Sequence, residues 1–92
     1  VVIYCSDHGD YCGDHGLWCK GLPCFRGAYE VPLLIRWPGV TDGDPPDDDS
    51  FVSLTDIGPT LLDIAGLTAS AQRFHGRSLR PFLHGRRPPD WR

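Results

Sequence analysis

Apolar residues along the chain fall into short clusters separated by segments rich in glycine and proline. The β-branched run at residues 1–5 predicts a buried strand. A second apolar run predicts a strand over residues 31–37, with Pro32 near its start, where a missing backbone N–H is tolerated. Between the two strands, residues 9–19 contain three glycines and predict a short helix and a loop.

The clearest helical pattern lies at residues 56–66, after a short third strand predicted at residues 51–54. Asp56 is the candidate N-cap of this helix, and Gly66 follows its last turn as the stop signal. Apolar residues at helical spacing share one face, which predicts core packing. The residues of this face are Ile57, Leu61, Ile64 and Ala65.

Length and charge exclude several classes of protein. The 92 residues are enough for one small domain, and the net charge of −3 is too small to indicate a nucleic-acid or anionic-membrane partner. No apolar run approaches the roughly 20 residues that a membrane-spanning helix needs.

Two segments carry most of the charge. Residues 41–50 contain five aspartates and two prolines and predict a solvated loop. A calcium loop is the alternative, although the segment lacks the bidentate glutamate and the spacing of an EF-hand. Residues 73–92 are rich in arginine, which we interpret as solvated side chains and interdomain salt bridges, with a nucleic-acid patch as the alternative.

Four cysteines suggest a zinc site or disulfides at first sight. Their separations along the chain are 7, 7 and 5 residues, which do not form the close pairs typical of structural zinc sites. We therefore expect free thiols, with one disulfide or an adventitious metal site as the alternative. The residues concerned are Cys5, Cys12, Cys19 and Cys24.

An acid and an imidazole follow directly after the first strand, at Asp7 and His8, and Gly9 then permits a sharp turn. Open α/β sheets hold their ligands at the carboxyl ends of strands. We therefore expect the two side chains to converge within roughly 6 Å, as a pair of metal ligands. Ordinary turn chemistry, with a capping aspartate and a solvated histidine, is the alternative interpretation.

The sequence of residues 6–39, SDHGDYCGDHGLWCKGLPCFRGAYEVPLLIRWPG, resembles the sulfatase family of the alkaline-phosphatase-like superfamily. Later motifs continue the resemblance in order over nearly the whole chain. The matching residues are 6–10, 13–18, 20–21, 31–39, 56–57, 59–63, 65–66 and 75–79.

The resemblance implies a role for four residues. Asp7 and His8 correspond to ligands of a divalent cation, for which Ca²⁺ is expected and Mn²⁺ or Mg²⁺ are alternatives. Lys20 matches the lysine that contacts the sulfate, against the alternative of a solvated lysine. His15 recurs in the GDHG motif, where it acts in catalysis, orients the loop or lines the substrate entrance.

The nucleophile that the resemblance implies is a formylglycine made from cysteine in a C-x-P-x-R motif. Cys24 does not fit this motif, because Pro23 precedes it and Arg26 lies two residues after it. The formylglycine is therefore expected in an upstream segment absent from this chain, and the isolated chain is expected to be inactive. A further departure is Glu30, at a position where relatives usually have arginine.

The resemblance implies that residues 1–92 are part of the C-terminal region of an α/β sandwich with a mostly parallel central sheet. The parent protein is expected to hydrolyse small-molecule sulfate esters and to need the remainder of its catalytic domain as partner. Alternatives are a phosphodiesterase or phosphonate monoester hydrolase of the same superfamily, or an inactive structural fragment. The expected segments are the metal-site strand and loop 1–30, strand 31–37, acidic loop 41–50, helix 56–66 and tail 67–92.

Overall fold

The structure, a computed structural model, describes residues 1–43, 49–67 and 73–91. The chain divides into two compact units, Val1–Arg36 and Trp37–Arg92. The predicted acidic loop falls largely on residues 44–48, which lie outside the described residues. In the part of the chain that is described, no helix is long and apolar enough to cross a membrane.

The first unit contains the two predicted strands, β1 (Val2–Cys5) and β2 (Leu33–Arg36). They pair in antiparallel orientation, with Tyr4 opposite Leu34. Because both strands are apolar on both faces, residues such as Tyr4 (64% exposed) and Leu34 (60% exposed) lie at the surface of the two-stranded sheet. The described strands thus form a small antiparallel sheet, and a mostly parallel sheet stays a prediction for the parent protein.

Between the strands, the first unit is built mainly of turns. A 3₁₀ turn covers Asp14–Gly16, where residues 9–19 predict a short helix, and a single helical turn, α1, covers Arg26–Tyr29. Tyr11 (4% exposed) and Ala28 (1% exposed) are the buried apolar residues of this unit. These turns therefore pack around one aromatic side chain rather than around a sheet.

The prediction of a third strand at residues 51–54, near the start of the second unit, is wrong. A 3₁₀ turn covers Leu54–Asp56 instead, and it leads directly into helix α2 (Ile57–Ile64). The turn is closed by a capping box, in which the Ser53 hydroxyl accepts the N–H of Thr55 and the Asp56 carboxylate accepts the N–H of Ser53. Reciprocal capping of this kind starts a helical segment and stops a strand.

The predicted helix is confirmed, but its predicted core face is wrong. Leu61 is 48% exposed, whereas Pro59 and Thr60 are buried. The Thr60 hydroxyl donates to the carbonyl of Asp56 (2.6 Å) and accepts the N–H of Leu79 (2.8 Å). The segment before the last helix, α3 (Arg80–Leu83), therefore covers the side of α2 that carries Thr60 and leaves Leu61 at the surface.

Asp56, the predicted N-cap of α2, makes no side-chain cap for that helix. Its carboxylate is fully buried and accepts the N–H of Ser53 and the N–H of Arg77, both at 2.8 Å. The backbone at Gly76 approaches so closely that a Cβ there would lie 2.0 Å from the carbonyl oxygen of Thr55. Asp56 therefore joins the start of α2 to the segment that follows residue 73.

Arg77 and Arg80 of the tail form ion pairs within the second unit, and the expected interdomain salt bridges stay a prediction. Arg77 pairs with Asp90 at 2.9 Å, and its guanidinium lies 4.9 Å from the ring centroid of Trp91. Arg80 pairs with Asp63 at 3.0 Å. The guanidinium next to Asp90 lowers the pKa of that carboxyl. The Arg80–Asp63 pair holds the tail against α2, whereas the Arg77–Asp90 pair joins two parts of the tail.

Candidate active site

The turn after β1 is fixed by its backbone. The Ser6 hydroxyl donates to the carbonyl of His8 (2.7 Å), and the N–H of Gly9 donates to the carbonyl of Ala28 (2.9 Å). A Cβ on Gly9 would lie 2.0 Å from the carbonyl oxygen of Gly27, so only glycine allows this approach. The contact with α1 therefore sets where the two preceding side chains point.

Asp7 and His8 converge as expected. Nε2 of His8 lies 3.5 Å from Oδ2 of Asp7, and the backbone N–H of His8 donates to Oδ1 of Asp7 (2.9 Å). That N–H is the main cause that lowers the pKa of the Asp7 carboxyl, and the positive charge of Lys20 adds to the effect. Asp7 therefore presents an ionised carboxylate, and its side chain is 84% exposed.

The tautomer of His8 follows from its hydrogen bonds. Nδ1 lies 2.8 Å from the carbonyl oxygen of Gly9, and because a carbonyl only accepts, Nδ1 carries the proton. The neutral ring then has its lone pair on Nε2, on the side of Asp7. Metal-binding histidines usually donate their second ring N–H to a carbonyl or carboxylate in this way. The pair therefore fits a partial metal site.

Lys20, the chain's single lysine, completes the cluster. Its Nζ lies 2.5 Å from Nε2 of His8. Tyr11 holds the neighbouring backbone in place, because its N–H donates to the carbonyl of Cys19 (2.9 Å) and its hydroxyl donates to the carbonyl of Gly21 (2.7 Å). Sequence reasoning missed Tyr11; its signal is an aromatic ring with a hydroxyl inside a glycine-rich segment.

His15 does not join this cluster. Its ring packs against Phe25, with centroids 4.2 Å apart, and its Nε2 faces the Asp14 carboxylate at 3.8 Å. Among the described residues, His15 makes no hydrogen bond or ion pair with Asp7, His8 or Lys20. The structure thus brings three of the four predicted site residues together, and a direct catalytic role for His15 stays a prediction.

The remaining polar residues of the unit serve its local structure. Asp10 accepts hydrogen bonds from the N–H (2.8 Å) and the thiol (3.3 Å) of Cys12 and thereby caps the local turn. This hydrogen bond from the thiol to the carboxylate raises the pKa of Cys12. Glu30 pairs with Arg26 one helical turn earlier. All four cysteines are free and exposed.

The number of ligating side chains limits how tightly this chain can bind a metal ion. Among residues 1–43, 49–67 and 73–91, no group of three or more histidine, cysteine, aspartate and glutamate side chains is placed to hold a metal ion. Asp7 and His8 supply two donors, and two donors are too few for a tight site. Any further ligands would have to come from outside the described residues.

The family of the chain follows from comparison with known proteins. Residues 13–92 match the family model described as N-sulphoglucosamine sulphohydrolase, C-terminal. The chain therefore belongs to the sulfatase family, in its C-terminal region. Comparison with solved structures finds no match.

Named relatives agree with this assignment. Arylsulfatase K from Danio rerio is 41% identical over 83 residues, which are 90% of this chain and 15% of that protein. N-acetylglucosamine-6-sulfatase from Homo sapiens is 36% identical over 99% of this chain and 16% of its own length. Choline-sulfatase from Rhizobium meliloti (strain 1021) is 39% identical over 92% of this chain and 16% of its own length. The chain thus spans only a small part of these relatives.

Proposed function

We propose that this chain is part of a metal-dependent sulfatase that hydrolyses small-molecule sulfate esters with an upstream formylglycine as nucleophile. One observation supports the proposal most directly: Asp7, His8 and Lys20 converge after the end of a strand, and Nε2 of His8, which carries the ring's lone pair, faces both Asp7 and Lys20. The names of the relatives favour sulfate over phosphate or phosphonate esters.

In this proposal, the Asp7 carboxylate and His8 Nε2 hold a divalent cation together with ligands from the rest of the catalytic domain. The cation supplies Lewis-acid neutralisation of the sulfate oxygens. Ca²⁺ is the cation we expect, and since Ca²⁺ and Mg²⁺ prefer oxygen ligands, the imidazole makes Mn²⁺ the main alternative.

Lys20 has a separate task in the same proposal. Its ammonium donates to a sulfate oxygen and stabilises the negative charge that develops there as the ester bond breaks. Because Tyr11 fixes the backbone on both sides of Lys20, the ammonium is held near the metal ligands at small entropic cost. The rings of His15 and Phe25 pack against each other. In this proposal, the pair lines the substrate entrance.

The test uses the protein that contains this chain and its upstream sequence, produced together with formylglycine-generating enzyme. We expect hydrolysis of 4-nitrophenyl sulfate, loss of activity on chelation, and recovery with Ca²⁺, Mn²⁺ or Mg²⁺. Asp7→Ala and His8→Ala should lose both turnover and metal rescue, whereas Asp14→Ala, an exposed carboxylate outside the cluster, should keep both.

Three outcomes would contradict the proposal. Hydrolysis that continues in the presence of a chelator would contradict the proposed metal dependence. A preference for 4-nitrophenyl phosphate or phenylphosphonate esters would favour the phosphodiesterase or phosphonate monoester hydrolase alternative. Metal binding without hydrolysis of any ester would indicate a structural role.

A further inference from the structure

A second candidate site lies in the unit Trp37–Arg92, which contains none of Asp7, His8 and Lys20. It is a cavity of about 410 Å³ at the carboxyl end of α3, within the range of about 300–1,000 Å³ typical of ligand pockets. Two guanidinium groups, one imidazole and one carboxylate line it. The lining residues are Asp63, Arg80, Pro81, His84 and Arg86.

The single carboxylate of this cavity is already compensated. Oδ1 of Asp63 accepts from Arg80 (3.0 Å) and Oδ2 accepts from the hydroxyl of Ser78 (2.7 Å). The Asp63 side chain is only 17% exposed, so its charge is directed toward these two partners. With Asp63 and Arg80 cancelling each other, the guanidinium of Arg86 leaves the cavity with a net positive charge.

Arg86 is positioned by backbone bonds and not by its side chain. Its N–H donates to the carbonyl of Pro81 (2.9 Å), which folds the chain back over the end of α3. Within the described residues, its guanidinium makes no hydrogen bond or ion pair, and neither does the imidazole of His84. The His84 ring is held edge-on to Trp37, with centroids 5.6 Å apart. Two donor side chains therefore face an open cavity with their hydrogen-bonding capacity unused.

We propose that this cavity binds a tetrahedral oxyanion, a sulfate group, through Arg86, His84 and the outer edge of Arg80. A guanidinium stays charged at all accessible pH values and presents planar N–H pairs that match oxyanion geometry. A metal cation is disfavoured there, because the only carboxylate among the described lining residues is paired. The proposal is independent of the Asp7–His8 site, since all its residues belong to the unit Trp37–Arg92.

The test is an NMR titration of the 92-residue chain with sodium sulfate, with sodium chloride adjusted to keep the ionic strength constant. We expect saturable shifts of the backbone amides of residues 84–86 and of the Trp37 indole. A parallel titration with methyl sulfate distinguishes the source of the group: comparable affinity indicates a sulfate ester, and binding of inorganic sulfate alone indicates the free ion.

Variants separate a specific site from general attraction of anions. Arg86→Gln should weaken binding about tenfold, the scale of losing a charge-assisted hydrogen bond. Arg86→Lys keeps the charge without the planar fork and should fall in between. Arg73→Gln removes the same charge from an exposed position outside the cavity and should leave the affinity unchanged.

Shifts that do not saturate, or equal weakening by Arg73→Gln and Arg86→Gln, would overturn the proposal. Amide spectra of each variant, unchanged outside residues 80–86, establish that the fold is retained. If Arg86→Gln alters the spectrum more widely, the sulfate affinities of Arg86→Lys and Arg73→Gln are compared instead. Equal affinities of these two variants would then overturn the proposal.

Discussion

The ammonium of Lys20 lies 2.5 Å from Nε2 of His8, although twelve residues separate the two along the chain. Since Nδ1 of His8 is committed to the carbonyl of Gly9, Nε2 offers the ring's single lone pair. A metal cation at His8 would need that same lone pair. The ammonium and the cation therefore compete for one atom, and the same side chain that we propose to contact the sulfate opposes metal binding in the isolated chain.

Lys20→Ala should accordingly strengthen metal binding by the 92-residue chain. Removing one positive charge and one competing donor at an exposed site is worth up to about 1 kcal/mol, or roughly fivefold in affinity. Paramagnetic broadening of the His8 resonances during a Mn²⁺ titration measures the effect. Lys20→Arg keeps the charge and should show no gain, and an unchanged or weaker affinity in Lys20→Ala would contradict the competition.

The same substitution should lower turnover in the parent enzyme, although it strengthens metal binding by the 92-residue chain. If Lys20 stabilises the charge on the sulfate, Lys20→Ala should lower kcat/KM by about 10²–10³. Lys20→Arg should rescue only part of the loss, because a planar fork does not reproduce a compact ammonium. Steady-state kinetics with 4-nitrophenyl sulfate measures both.

A matched control for that experiment is Arg26→Ala, which removes a cation from an exposed pair with Glu30 in the same unit. It should leave kcat/KM unchanged. A Lys20→Ala enzyme that melts early yet turns over normally when folded would show that Lys20 is structural and would contradict its proposed role.

Gly9→Ala should destabilise the turn that carries Asp7 and His8. The new Cβ would meet the backbone carbonyl of Gly27 at 2.0 Å, and backbone cannot move aside as a flexible side chain can. Overpacking of this kind costs about 1–3 kcal/mol in the free energy of unfolding. Gly43→Ala is the control, because nothing lies within 4 Å of its added Cβ. Urea denaturation of both variants makes the comparison, and equal stability would refute the close approach.

How far the sequence predicts this site depends on the range of the interactions. Asp7 and His8 are neighbours, so a strand followed by glycine suffices to predict that they converge. The role of Lys20 is predicted only by the family resemblance, because no local sequence pattern indicates its contact with His8. That contact depends on Tyr11, whose hydroxyl reaches Gly21 across ten residues. Long-range hydrogen bonds to backbone leave no periodic pattern to detect.

The fold shows the same division. Both strands and helix α2 follow from short apolar patterns and were predicted near their observed bounds. The buried face of α2 is not predicted correctly, because the pattern marks Leu61 as apolar but does not reveal which side of the helix a later segment covers. Thr60 and Asp56 attract that segment through backbone hydrogen bonds at Leu79 and Arg77. Polar residues thus decide the packing where the hydrophobic pattern alone predicts another face.

Asp56→Ala should be strongly destabilising. Its buried carboxylate accepts the N–H groups of Ser53 and Arg77, and both donors would lose their partner. Leaving two partly buried donors unsatisfied costs about 2 kcal/mol or more. Asp49→Ala, whose side chain is fully exposed, should change the free energy of unfolding by less than about 0.5 kcal/mol. Equal effects of the two substitutions in urea denaturation would show that Asp56 is not the link we describe.

The ion pair between Arg77 and Asp90 predicts a pH dependence of stability. The hydrogen bond from Arg77 lowers the pKa of Asp90 below its ordinary value of 3.8, so the folded state binds the proton less readily than the unfolded state. The stabilisation is therefore fully present above 3.8 and is lost as the pH falls through the lowered folded pKa.

Asp90→Asn removes the titrating group, so the wild-type chain should exceed the variant in stability at neutral pH and lose that advantage in acid. Urea denaturation of both chains over this pH range measures the difference, which salt should reduce because the pair is exposed. Asp49→Asn makes the same substitution at a fully exposed carboxylate and is the matched control for a general effect of removing one negative charge. A difference between wild type and Asp90→Asn that grows toward acid would contradict the sign, and would mean that the Asp90 carboxyl is stabilised by its proton rather than by the Arg77 guanidinium.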